Sequence, residues 1–263
     1  MHTATHLHRV AHERELPPLA KRFAAFGGVL LGHLRWCLHT PGAQVLVLEQ
    51  PPHAALVTLL ELPTGTVVLR WAGTSPAAVA ALGPTLIDAR PTNTPRLLVQ
   101  CGPAEALHWE QLGLAEQAAL ETWAPDTANG FSEAQDEAVV LLEPTHRMAL
   151  LHLDARATGE DRTTLLLEHH YAARVYVERA RVRGALLPLL GNGLILADHA
   201  HAGLELLRWL LPVQQRPVVP EGNTAAAEQL TAWNYCVVHT SVRLVLGPVP
   251  PFRPELIYAW PWP

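Results

Sequence analysis

Short apolar runs alternate along this chain with stretches in which apolar positions return every three or four residues, the marks of strands and of amphipathic helices. Leu7–Val10 reads as a first strand, and His12–Phe26 as a helix with Leu16, Leu19, Phe23 and Phe26 on its apolar face. Pro17 and Pro18 suit its first turn, where a missing N–H costs little. Leu30–Leu38 reads as a second helix, and Gln44–Glu49, Ala54–Leu62 and Thr66–Ala72 as three strands. The links between those strands, at Pro51-Pro52 and Pro63-Thr-Gly65, are too short for anything but antiparallel neighbours. A helix beginning near Pro76 follows, then a strand, a turn and a helix from Pro95 to Leu114, and a closing strand over Leu114–Trp123.

Ala124–Asp136 carries Pro, Asp, Asn-Gly and Ser with little apolar periodicity, and reads as a linker. Beyond it, an apolar run at Ala138–Leu142 precedes helical segments at His146–Leu153 and Arg162–Leu167, joined at Thr158-Gly159. Strands are expected at Val175–Glu178, Val182–Leu187 and Leu194–Ala197, a helix at His199–Leu211, and closing strands at Val237–Leu246 and Glu255–Trp260. The order of the first half thus returns in the second, which predicts domains at 1–124 and 138–263 with a linker at 125–137.

One stretch occurs in both halves. Pro95–Leu114 and Arg216–Tyr235 align without a gap, so that Leu98 faces Val219, Ala104 faces Ala225, Ala106 faces Ala227, Leu112 faces Trp233 and Gly113 faces Asn234. The last pair matters most, because helices commonly end on a left-handed residue, a conformation open to Gly and tolerated by Asn.

Composition narrows the function classes. The formal net charge of the 263 residues is −5, with a single lysine, Lys21, and the arginines spread along the chain, which argues against a nucleic-acid or anionic-membrane surface. Cys37, Cys101 and Cys236 stand apart, in no disulfide or zinc-knuckle spacing, and fit a reducing cytoplasm. No uncharged apolar run is long enough to span a bilayer. Of the fifteen histidines, His169-His170 and His199-Ala-His201 lack metal-ligand spacing and companions, so no metal is expected.

A meander running into strand, helix, strand, helix and strand resembles the GNAT (GCN5-related N-acetyltransferase) fold. The second half is more specific. LDARATGEDRTTLL at Leu153–Leu166, GLILADHAHAGLELL at Gly193–Leu207, Val218-Val-Pro-Glu-Gly-Asn223, and the ending with Arg243, Gly247 and Leu256-Ile-Tyr258 are similar to the C-terminal domain of two-domain GNAT proteins. Together they cover most of 138–263, whereas the first half matches only the general pattern, best at Arg96–Leu114. The expected fold is therefore α/β with an α+β mixed sheet: two tandem GNAT-like domains, each a mostly antiparallel sheet flanked by helices.

The resemblance implies acetyl transfer from acetyl-CoA to an amine, whether a small molecule or a protein N-terminus or side chain. GNAT proteins hold the pyrophosphate on a Q/R-x-x-G-x-G/A loop after the fourth strand, on backbone N–H groups at a helix start. Position here assigns cofactor binding to Ala72, Gly73, Thr74 and Ser75, although only Gly73 fits the motif, and Ser75-Pro76 reads as an internally satisfied helix start. In the second half Asp198 is expected to cap the helix and repel phosphate. The tyrosine that protonates the departing thiolate in many family members is replaced by Trp109 and by Leu230, neither of which can act as that acid. The family's Asn before that helix is present as Asn223 and absent at Gly102. Glu61 is the candidate base by location alone, and Glu178 and Glu205 have no better case. Trp71, Trp109 and Trp233 either line a cleft between splayed strands or fill the core. The alternative reading is a catalytically degenerate GNAT scaffold that binds a small ligand or a protein partner. A homo-oligomer is left open, as is the docking of the Pro-rich tail.

Overall fold

The structure is a computed structural model and describes residues 5–23, 31–40, 42–89, 94–126, 134 and 137–261. Phe26, the start of the second helix at Leu30, most of the 125–137 linker and the last two residues of the tail lie outside them.

The chain divides into two compact units that interleave in sequence. One is Met1–Gln117 with Val242–Val249; the other is Ala118–Ser241 with Pro250–Pro263.

The first unit opens with β1 (His6–Arg9), a single 3-10 turn, and helices α1 (Leu16–Phe23) and α2 (Leu31–His39). Strands β2 (Ala43–Gln50), β3 (His53–Glu61) and β4 (Thr66–Gly73) follow, then α3 (Ala77–Asp88), β5 (Arg96–Cys101) and α4 (Pro103–Gln111). β1 to β4 pair antiparallel in sequence order, as the short links require. The crossover through α3 then sets β5 parallel to β4. Alternation along β4 separates two cores. Val67, Leu69 and Trp71 face the helices α3 and α4, in a cluster with Leu82, Leu86 and Trp109. Ala72, with Leu56 of β3, faces the opposite side, where Leu16, Phe23 and Leu34 of α1 and α2 close the layer.

The second unit takes most of β6 (Ala115–Pro125), then β7 (Val139–Leu141), α5 (Arg147–Thr158), α6 (Thr163–Glu168), β8 (Arg174–Glu178), β9 (Arg181–Leu187) and β10 (Leu194–Ala197). It continues with α7 (Ala200–Leu210), β11 (Val218–Pro220), α8 (Thr224–Ala232), β12 (Tyr235–Leu246) and β13 (Ile257–Ala259). β7 to β10 form an antiparallel meander like β1 to β4. α7 packs on it through Ala202, Leu206, Leu207 and Leu210, the helical spacing read from the sequence.

Pairing at the ends of the halves departs from a simple tandem order. The last part of β12, Val242–Leu246, pairs with β5 and belongs to the first unit. Leu120–Thr122 of β6 pairs with β11 and belongs to the second. The repeated segments do share their local design: Gly113 and Asn234 both end their helices at positive φ, +91° and +61°.

The motif at Leu153–Leu166 is a folding device. Arg162 and Asp154 are both almost fully buried and joined by hydrogen bonds from the guanidinium Nε, at 3.1 and 3.2 Å, and from Nη2. Burial by itself would lower the guanidinium pKa, but the Asp154 carboxylate holds it above the usual arginine value, so the two form an ion pair. The Arg162 guanidinium also lies 4.9 Å from the ring centroid of Trp260. Asp161 accepts the Thr163 N–H at 3.0 Å and starts α6.

Candidate functional site

The segment assigned to the cofactor follows β4, and its hydrogen bonds are largely spent on its own fold. The Thr74 N–H donates to the Ala54 carbonyl at 2.9 Å, and the Thr74 hydroxyl accepts the Ala54 N–H at 3.1 Å. The Ala78 and Val79 N–H groups donate to the Ser75 and Pro76 carbonyls at 3.0 and 3.1 Å. Main-chain carbonyls thus close the first turn of α3, rather than the Ser75 hydroxyl, which lies 3.4 Å from His53 Nδ1. Pro76 has no N–H, so at most the Ser75 and Ala77 amides face outward. Ala72 is buried in the α1–α2 core. At Gly73 a Cβ would stand 2.5 Å from the Trp71 indole nitrogen, so this glycine is required by the tryptophan lying over it.

Glu61 is not brought to that turn. It is exposed at the end of β3, paired with Val67 near the start of β4, while Gly73 pairs with Ala55 at the other end. Six residues of extended chain, about 20 Å, separate the two. Glu61 therefore cannot take a proton from an amine held at 72–75.

What the first unit does offer is a split between parallel strands. β4 and β5 pair from Thr66/Arg96 as far as Arg70/Gln100, yet β4 runs on to Gly73, so among the described residues Trp71–Gly73 has no strand partner on the β5 side. Trp71 and Trp109 meet edge to face there, with centroids 5.3 Å apart, and neither indole N–H has an acceptor. Both rings are buried in the core cluster of the first unit, as the core-aromatic alternative expects. Glu105, in the first turn of α4, accepts the Gly102 N–H at 3.1 Å. Burial raises its carboxyl pKa, against the lowering by Gly102 and by the Trp71 indole, which points toward it without closing a bond. Burial also raises the Cys101 thiol, with Glu105 and Glu110 adding to the shift, so Cys101 is a neutral core thiol. Sequence reading passed over Glu105 because Gly-Pro-x-Glu is also an ordinary helix start.

The second unit has the same gap in principle and fills it. β13 lies between β10 and β11: Ile195 pairs with Ala259 and Leu196 with Ile257, while Trp260 bridges to Val218, donating its N–H to that carbonyl at 2.6 Å. The Tyr258 ring presses so closely on α7 that a Cβ at Gly203 would meet it at 2.4 Å. Asn223 caps α8 by accepting the Ala226 N–H at 3.0 Å, and its amide donates to the Ile257 carbonyl at 2.9 Å. Asp198 does not cap α7 as expected. His199 takes the N-cap position, and Asp198 is drawn into ion pairs with Arg183 at 3.3 Å and Arg156 at 3.6 Å. Glu205 is buried and bound to Arg208 at 2.7 Å, Glu178 lies 4.0 Å from Arg183, and Trp233 is in the core. Among the described residues no group of three or more His, Cys, Asp or Glu could hold a metal ion, and no helix is long and apolar enough to cross a membrane.

Known structures share this architecture over nearly the whole chain. A candidate acetyltransferase from Pyrococcus horikoshii superposes with a TM-score of 0.74 at 12% identity, over 97% of this chain and 93% of that one. A GCN5-related N-acetyltransferase from Sphaerobacter thermophilus gives 0.61 at 14% identity, over 96% and 98%. A GNAT-family acetyltransferase from Colwellia psychrerythraea gives 0.53 at 11% identity, over 92% and 99%. The sequence matches no protein-family model, and no curated protein at a significant level. The fold is the GNAT fold, a mixed α/β architecture with a large mixed sheet flanked by helices and a second sheet.

Proposed function

We propose that the protein transfers an acetyl group from acetyl-CoA to an amine, and that the first unit carries the site. The observation that carries this reading is the β4 edge at Trp71–Gly73, left unpaired where β4 and β5 part, while the corresponding gap in the second unit is occupied by β13. The residues fit the cofactor in part. An extended arm can lie along the β4 edge, but the stretch from Thr74 to Ala77 offers at most two amides, of Ser75 and Ala77, and not the three or more of a full pyrophosphate cradle. Acetyl-CoA, when bound, supplies the acetyl group. The chain's own contribution is to exclude water with Trp71 and Trp109 and to set the Glu105 carboxyl, its pKa raised by burial, in the first turn of α4 beside them. The acceptor is a small-molecule amine, or the N-terminus or a side chain of a protein. Free Cys37 and Cys101, both buried, support the cytoplasm as the compartment.

A specific observation favours a second reading. The internally bonded turn at Thr74–Val79, with Trp109 in place of a general acid, suits a GNAT scaffold that binds a small ligand or protein partner without chemistry. Calorimetric titration with acetyl-CoA, free CoA and desulfo-CoA separates the two. Saturable micromolar binding of acetyl-CoA is the expected result; no binding at millimolar ligand would retire acyl transfer and leave the scaffold.

A further inference from the structure

The face of β4 turned away from Trp71 holds a second feature. Arg70 and Thr58 are direct cross-strand partners on β4 and β3, as are Ala72 and Leu56, so all four lie on the side covered by α2. With His33 and Leu34 of α2, and Trp71 at its edge, they line a pocket of about 310 Å³ including its open mouth. Its enclosed room is about 30 Å³, enough for a carboxylate group and not for a whole ligand, the rest of which would lie in the open mouth. Arg70 is its one cationic wall. Among the described residues no carboxylate comes within ion-pairing distance of it, although desolvation is strong enough to lower its pKa to about 10. The neighbouring groups do not supply the missing charge. Cys37 is pushed up to about 12 by burial and stays a neutral thiol, and its Sγ lies 3.5 Å from His33 Nε2, which lies 3.2 Å from Thr58 Oγ1.

Arg70 is half-buried at the pocket, and a guanidinium with no carboxylate beside it among the described residues is a ready partner for an anion. Its planar fork matches a carboxylate with two parallel N–H···O bonds, and the Thr58 hydroxyl stands directly across the strand pair as a further donor. Position decides which anion. Arg70 is the last β4 residue paired with β5, and the open edge begins at the next one. A carboxylate on Arg70 therefore keeps the acceptor near the end of the β4–β5 pairing. The start of α3, where a pyrophosphate would be sought, lies farther along the chain.

We propose that this pocket binds the carboxylate of the acceptor, so that the amine acetylated belongs to a free amino acid or a related amino-carboxylate. The proposal deepens the acyl-transfer reading and rests on it, but binding at the pocket can be measured without the cofactor. The full-length protein is titrated by calorimetry and thermal shift with each common L-amino acid, with the matching amino-acid amides, and with inorganic phosphate. At least one amino acid should bind, its amide about ten-fold more weakly. Arg70→Met should abolish that preference while leaving the circular dichroism spectrum and acetyl-CoA binding unchanged, and Thr58→Val should weaken the amino acid several-fold. Arg70→Lys, which keeps the charge and loses the fork, should fall between. The proposal is overturned if no amino acid binds, or if the preference for acid over amide survives in Arg70→Met and Thr58→Val. It is equally overturned if phosphate alone binds and Arg70→Met weakens acetyl-CoA instead, because the anion is then the cofactor's. Amino-acid binding that persists when acetyl-CoA fails to bind would uphold the carboxylate site and remove acyl transfer, so the two failures are distinct.

Discussion

The two halves meet the same structural problem, a parallel pair of strands joined through a helix, and solve it differently. In the first unit β4 and β5 pair directly and then part, leaving Trp71–Gly73 with a free edge. In the second, β13 is driven between β10 and β11, Asn223 holds the Ile257 carbonyl, and Tyr258 seals the space against Gly203. The equivalent residue in the first half is Gly102, which has no side chain to hold anything. Repetition of a strand-turn-helix design thus does not fix how the strands beside it are paired.

The largest expected effect breaks the filled side. Arg162 anchors the end of the wedge by stacking on Trp260 while neutralising Asp154. Arg162→Met leaves a buried carboxylate alone and should cost about 3–5 kcal/mol in unfolding free energy by urea titration. Adding Asp154→Leu should recover most of that loss, and no recovery would mean the pair is not the source of the effect.

A middle-sized effect compares the equivalent cap positions. Asn223→Ala removes a helix cap and strands a buried carbonyl, for about 1–3 kcal/mol. Gly102→Ala should stay within about 0.5 kcal/mol, since its φ of −69° is ordinary and a Cβ would meet nothing closer than 3.8 Å. Equal losses at the two positions in thermal denaturation would contradict the contrast between a filled and an open gap.

The smallest effect sharpens the open side. Burial raises the Glu105 pKa, so between the ordinary carboxylate range, about pH 4, and the raised value the folded chain holds this proton more tightly than the unfolded one. Its contribution to stability is greatest below that window and declines as pH rises through it. Glu105→Gln keeps an acceptor for the Gly102 N–H and should flatten that decline, read as the urea midpoint against pH. An unchanged profile would place Glu105 outside the desolvated split.

Much of the fold was legible because it is written in local chemistry. The period of apolar residues placed all of the long strands and helices within a few residues, Pro17 and Pro18 sat in a first turn, and Gly113 and Asn234 took the left-handed caps that end α4 and α8. The internal closure of the α3 start was legible too, although Ser75 acts through its carbonyl and not its hydroxyl. Glu61 was misplaced because strand length alone does not say which end of a hairpin meets a site; the antiparallel register does. Asp198 is expected from the sequence to serve its own helix, but His199 takes the N-cap position and Asp198 lies in ion pairs with Arg183 and Arg156, residues distant in the chain.

The elements, their order, the left-handed helix ends at Gly113 and Asn234 and the repeated strand-turn-helix design follow from the sequence, because each depends on residues a few positions apart. Only the tertiary structure decided that β13 fills one gap and leaves the other open, that Val242–Leu246 completes the first sheet, and that Arg70 faces a pocket without a carboxylate. These depend on pairings between residues far apart in the chain, and such pairings are chosen by the burial and hydrogen bonding of the whole molecule.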